Sequence, residues 1–116
     1  EAKAQVAYAK MSGAKGELGA EVLYYEAYFK NKEGKYEESN KVVQKLAKDF
    51  SGYKYYGAKG LVVMADNFHK LNDAFQATYV LETVIKNFGS YPDVVSEAQT
   101  ALSKIKEESA AQPNSK

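Results

Sequence analysis

The feature that most constrains this chain is an internal repeat. The stretch from Gly19 to Ala27 (GAEVLYYEA) lies over Gly57 to Ala65 (GAKGLVVMA), and Lys48 to Tyr53 (KDFSGY) lies over Lys86 to Tyr91 (KNFGSY), both without gaps at a shift of 38 residues. Between these blocks Ser39, Val42, Val43, Leu46, Ala47 and Phe50 fall on Ala77, Val80, Leu81, Val84, Ile85 and Phe88, and every position keeps its small or apolar character. One shift shared by separate blocks makes the chain an array of similar units, about 19–56 and 57–94.

Inside a unit the apolar spacing is helical. Ala20, Leu23, Tyr24, Ala27 and Tyr28 follow the i, i+3, i+4, i+7, i+8 pattern of an amphipathic helix, and residues 39–50 give a second stripe. Lys32-Glu-Gly-Lys35 separates the two, and Gly34 can take the left-handed backbone that ends a helix; Asn72 stands at the same place in the second unit. Ser51-Gly52 and Gly89-Ser90 mark the bends between units. There Ser90 is expected to cap the last helix, with Pro92 in its first turn and Asp93 at its positive end. That helix is expected over 92–108, with Val94, Ala98, Ala101, Leu102 and Ile105 inward, and an opening helix over 2–12, with Ala4, Ala7, Tyr8 and Met11 inward. The expected fold is all-α: about six antiparallel helices in a single repeat domain, 1–108, stacked as an α-solenoid, and a disordered tail over 109–116.

Composition narrows the function. A net charge of +1, from 16 basic and 15 acidic residues, offers no concentrated basic face for nucleic acid. The longest apolar run, Leu61 to Ala65, is far short of a membrane span, so no membrane insertion is expected. With no cysteine, thiolate metal sites and cysteine nucleophiles are excluded, and His69 as the single histidine leaves no Ser/His/Asp set. Gly13, Gly16 and Gly19 precede no strand and make no dinucleotide fingerprint. Asp66, His69 and Asp73 have helical spacing that a metal or an acid–base pair could use, but one histidine with two carboxylates is a weak set, and a local ion pair is the expected reading. Tyr53-Lys-Tyr-Tyr56 could stack on bases, yet Tyr91 at the place equivalent to Tyr53 favours rings that cover a bend between units. No catalysis, cofactor or metal is expected. The start at Glu1, without Met or signal peptide, reads as a piece of something longer.

The pattern resembles the tetratricopeptide repeat. Ala27, Gly34 and Ser39 in the first unit, and Ala65, Asn72 and Ala77 in the second, match its small residues and turn; Tyr36, Leu61 and Phe68 match its larger positions. Lys30 and Ala74 depart from it, and the 38-residue period exceeds the family's usual value of about 34. Long units ending in Lys-Asp-Phe resemble the repeats of bacterial envelope proteins, which implies a periplasmic or outer-membrane-associated setting and leaves the cytoplasm open. The resemblance implies a non-catalytic scaffold that binds a partner protein or peptide on a concave face formed by the first helix of each unit. By register that face holds Glu21, Tyr24, Tyr28, Asn31, Lys59, Val62, Asp66, His69 and Lys70. The family's Lys and Asn clamp for a terminal carboxylate is missing, with Tyr24, Tyr28, Val62 and Asp66 in its place. Two alternatives stay open. The tyrosines pack against neighbouring helices while the charges are solvated, or the whole chain is a structural spacer or oligomerisation segment of a larger envelope protein.

Overall fold

The computed structural model describes residues 15–110, which form five helices and no strand. We label them α1 (Gly16–Lys32), α2 (Tyr36–Asp49), α3 (Lys54–Lys70), α4 (Ala74–Asn87) and α5 (Pro92–Ala110). The expected helix over 2–12 lies outside the described residues. The last helix continues through Ser109 to Ala110, so the first two residues of the expected tail are helical; 111–116 lie outside the description.

The 38-residue repeat is carried into the backbone. Gly16, Lys54 and Pro92 start three helices at that spacing, and Tyr36 and Ala74 start two more. The turns repeat bond for bond. Lys35 N–H donates to the Lys30 carbonyl at 2.8 Å and Gly34 N–H to Asn31 at 3.0 Å; Asp73 donates to Phe68 at 2.8 Å and Asn72 to His69 at 3.1 Å. This is the paired closure in which a left-handed residue satisfies the last helical carbonyls, and both Gly34 (φ 81°) and Asn72 (φ 65°) adopt it. At the bends, Phe50 N–H donates to Leu46 and Tyr53 to Phe50, and Phe88 donates to Val84 and Tyr91 to Phe88.

Charge agrees with the end of α1 and the start of α2, and a side-chain cap opens α4. Glu37 and Glu38 sit in the first turn of α2, Lys30 and Lys32 in the last turn of α1, and Asp73 Oδ1 accepts from Gln76 N–H at 3.1 Å to open α4. One cap differs from expectation. Helix α5 opens at Pro92, so Tyr91 and not Ser90 precedes it, and the Tyr91 carbonyl accepts from Val94 and Val95, both at 3.0 Å. Proline fixes the first helical φ and lacks only an N–H that has no helical partner there, which moves the start past Ser90.

Helix α3 is the centre: it packs against α1, α2, α4 and α5. On one side Ala20, Leu23, Ala27, Val43 and Leu46 close a core with Val63 and Met64; on the other Ala58 and Ala65 join Leu81, Val84, Val94 and Ala98. Ala27 and Ala65 are 0% and 1% exposed. The small residues permit close approach: the Ser39 hydroxyl donates to the Ala27 carbonyl of the facing helix at 2.7 Å.

Candidate interaction surface

The three helices at 38-residue spacing, α1, α3 and α5, lie side by side, with α1 on α3 and α3 on α5. The residues expected to line a shared face therefore meet across helix boundaries, and most of them are engaged there.

Tyr24 is 8% exposed and belongs to the core beside α2 and α3. Burial, with Glu97 nearby, pushes its phenol pKa well up, so it stays a neutral ring. Tyr28 is half-buried, its ring 6.2 Å from Tyr24, with the Lys32 ammonium 5.2 Å from its centroid. Lys59 extends along this row, 5.2 Å from the Tyr24 ring and 5.6 Å from the Tyr55 ring. Tyr55 in turn donates its hydroxyl to Asp93 Oδ2 of α5 at 2.7 Å. That bond lowers the Asp93 carboxyl and pushes Tyr55 up to about 12. Glu21 and Val62 are half-buried, and Val62 packs on the core shared by α3, α4 and α5.

Asn31, Asp66, His69 and Lys70 form the other end of the face. Asn31 is 9% exposed; its amide donates to Asp66 Oδ2 and to Asn67 Oδ1, both at 2.8 Å. Lys70 reaches Asp66 Oδ1 at 3.1 Å, one helical turn away. Burial works to raise the Asp66 carboxyl, and the bonds from Asn31 and Lys70 outweigh it, so its pKa falls below the usual carboxylate value. His69 Nε2 lies 2.9 Å from Glu108 Oε1 of α5. Asp73 is spent on the α4 cap, apart from the Asp66–Lys70 pair. Among the described residues no three His, Cys, Asp or Glu side chains converge as metal ligands would, and no helix is long and apolar enough to cross a membrane.

One constellation was not read from the sequence. Asn67, 0% exposed, donates from Nδ2 to Ser39 Oγ and to Asn40 Oδ1, both at 2.8 Å, while its Oδ1 receives Asn31. With the Ser39–Ala27 bond this joins α1, α2 and α3 through a buried polar network, and no buried side-chain polar atom lacks a partner among the described residues. Its trace in the sequence is an asparagine at the i+4 position from Val63 and i+3 from Met64, on an otherwise apolar stripe.

The aromatic cluster at the bend closes on itself: Tyr55 meets Tyr56 and Tyr91 edge-on with centroids 5.4 Å away in each case, and Phe50 and Tyr53 are 6.3 Å apart. A shallow apolar hollow beside it is lined by Phe50, Tyr53, Gly57, Leu61 and Phe88. The face of α5 in register with Leu61 and Ala65 carries Gln99 and Ser103, both exposed.

No protein-family model, characterised protein or solved structure matches the chain.

Proposed function

We propose that this chain is a non-catalytic interaction scaffold of tetratricopeptide-like, solenoid build, which binds a partner protein or an extended peptide along the face shared by α1, α3 and α5. The observation that carries the reading is the side-by-side packing of three helices at one 38-residue spacing, which merges three short faces into one. Half-buried Tyr28, Lys59 and Val62 and exposed Lys70 offer apolar area with polar tips along it. Tyr24 and Asn31 act beneath that surface: they hold the helices whose outer residues make contact. Asp66 pairs with Lys70, His69 with Glu108 of α5, and Lys59 lies over the Tyr24 and Tyr55 rings, so these groups are spread along the face in separate contacts, which supports a binding role over an enzymatic one.

Selection of peptides from a display library against the 116-residue chain tests this. Peptides of micromolar affinity should emerge, and Tyr28→Ala with Val62→Ala should weaken them by at least about tenfold, as loss of interface anchors does. Glu37→Ala with Lys41→Ala, on the outer side of α2, should leave binding unchanged. Selected peptides that ignore the first pair and respond to the second would move the site off this face.

A second reading, a spacer or oligomerisation segment of a larger envelope protein, has one observation in its favour: Phe75 and Tyr79 are exposed on the outer side of α4. Against the plain spacer stands α5, whose Gln99 and Ser103 present a polar side where an array of uniform units would present apolar residues.

A further inference from the structure

Helix α4 buries Ala77, Val80, Leu81 and Val84. At 3.6 residues per turn, Phe75, Tyr79, Glu82 and Lys86 fall within a sector of roughly 60° on the opposite side. All four are exposed, Phe75 at 82% and Tyr79 at 63%, the two most exposed large hydrophobic residues among those described. Neither Glu82 nor Lys86 takes part in an ion pair among the described residues, although they stand one turn apart. The repeat does not require this stripe: the residues 38 positions earlier are Glu37, Lys41, Gln44 and Lys48. Two adjacent aromatic residues on water-facing positions of one unit, polar in its sibling, call for a covering surface.

The order of the four residues indicates which surface. Read backwards, the stripe is its own complement. In an antiparallel pair of α4 helices related by a two-fold axis passing midway between Tyr79 and Glu82, Phe75 faces Lys86 of the second copy and Tyr79 faces its Glu82. The ammonium then lies over a ring, the phenol donates to a carboxylate, and each contact occurs twice, as an isologous interface demands. We propose that the outer side of α4 is a self-association surface through which two copies of this chain pair antiparallel. One helix per copy covers less area than a standard interface, so the dimer is a weak one that forms when copies are held at high local concentration. This surface lies on α4, away from the residues assigned above to the α1–α3–α5 face, and the two proposals fail independently.

Sedimentation equilibrium of the 116-residue chain, up to about millimolar concentration for so small an interface, reads the proposal. The expected result is a reversible monomer–dimer equilibrium, weakened at least about tenfold by Phe75→Ser with Tyr79→Ser, since these are the aromatic anchors. Lys86→Glu alone should weaken it as well, by setting a carboxylate over the ring. Phe75→Lys combined with Lys86→Glu should restore association, because opposite charges then meet at the same place; only the antiparallel register makes these two positions partners. Helicity measured on each variant separates lost pairing from lost fold, and every substitution is on the exposed side of α4. A chain that stays monomeric throughout, a dimer indifferent to Phe75 and Tyr79, or a charge swap no better than Lys86→Glu alone would each overturn the proposal, the last two by placing the contact elsewhere.

Discussion

Two junctions of this molecule occupy the same register and are filled with opposite chemistry. Where α2 meets α3 the chain buries Ser39, Asn40 and Asn67; where α4 meets α5, 38 residues on, it places Ala77, Thr78 and Ile105. Asn67 and Ile105 are equally inaccessible, at 0% and 5% exposed. The turns flanking them are closed by the same bonds, so backbone geometry does not require either filling. The difference teaches that small residues and left-handed turns set how the helices approach, while a seam accepts polar or apolar content provided that every polar atom finds its partner. The two seams differ in how they fail. A slip in the polar one strands amides away from water; a slip in the apolar one opens a cavity.

Exchanging the central residues separates these failures. Ile105→Asn carries the largest expected loss, about 4 kcal/mol, because it removes a packed side chain and inserts an amide among Val80, Leu81 and Val84 with no network to receive it. Chemical denaturation measures it, and a loss below about 1 kcal/mol, within the range of a single ordinary hydrogen bond, would show the seams to be interchangeable. Asn67→Ala should cost about 3 kcal/mol, since three hydrogen bonds go and Asn40 keeps a buried carbonyl without its donor. Transplanting the apolar seam whole, as Ser39→Ala, Asn40→Thr and Asn67→Ile, should recover at least about half of that loss, because partners removed together leave little stranded. If the triple variant is no better than Asn67→Ala, the network stabilises through its bonds rather than merely avoiding unpaired groups.

This contrast also marks what the sequence could disclose. The helical stripes, the turns at Gly34 and Asn72 and the buried alanines at 27 and 65 were legible because each depends on neighbours within a turn or two. The network was not, because Asn67 finds its partners 27, 28 and 36 residues away, on two other helices. A window along the chain shows only a polar residue on an apolar face. The candidate face fared similarly. Register placed Tyr24, Asn31 and Asp66 on adjoining helices, yet the burial of Tyr24 and the closure of Asn31 onto Asp66 follow from how tightly α1 lies on α3, which periodicity does not encode. Ser90 was misread for a local reason: a good capping side chain was weighed above the proline that fixes where the helix begins.

The turns offer a smaller test of equivalence. Gly34→Ala should cost about 1 kcal/mol, from the left-handed backbone alone, since an added Cβ there meets nothing within 4 Å. Asn72→Gly at the matching place should change stability by less than about 0.5 kcal/mol, asparagine being already tolerant of that conformation. Thermal melts of the pair decide it, and equal losses would mean that the two turns are not equivalent. Below this in size stands an acid response of the α1–α3 contact. The folded Asp66 pKa lies under its unfolded value near 3.8, so its contribution is present above that value and disappears as pH falls through the folded one. Asp66→Asn should flatten the stability profile in that window and lower stability modestly at neutral pH, where the charged carboxylate's contacts with Asn31 and the partly exposed Lys70 are at full strength.

The smallest expected effect is a near-cancellation at Gly60, and it probes what sets the spacing of the polar seam. Gly60 faces α2, and a Cβ built there would stand 3.1 Å from Leu46 Cδ2 and 3.4 Å from Val43 Cγ1. At the same register α5 carries Ala98, 0% exposed, so the α4–α5 seam already accommodates a methyl group that the α2–α3 seam replaces with hydrogen. Gly60→Ala should gain about 0.8–1 kcal/mol of helix propensity in mid-helix. Against this, Leu46 and Val43 are 0% and 1% exposed and can yield only by shifting within a packed core, at a cost of similar size. The net change should fall within about 0.5 kcal/mol of zero, while Gly60→Val, with two further methyl groups, should lose about 2 kcal/mol. A clear stabilisation by Gly60→Ala would show that Leu46 moves aside freely, and the seam would then be held at its spacing by the Asn67 network rather than by the contact of Gly60 with α2. Repeating Gly60→Ala in the Ser39→Ala, Asn40→Thr, Asn67→Ile background distinguishes the two causes: a seam held by its hydrogen bonds relaxes once they are gone and accepts the methyl group more readily, whereas a seam held by steric fit gives the same value in both.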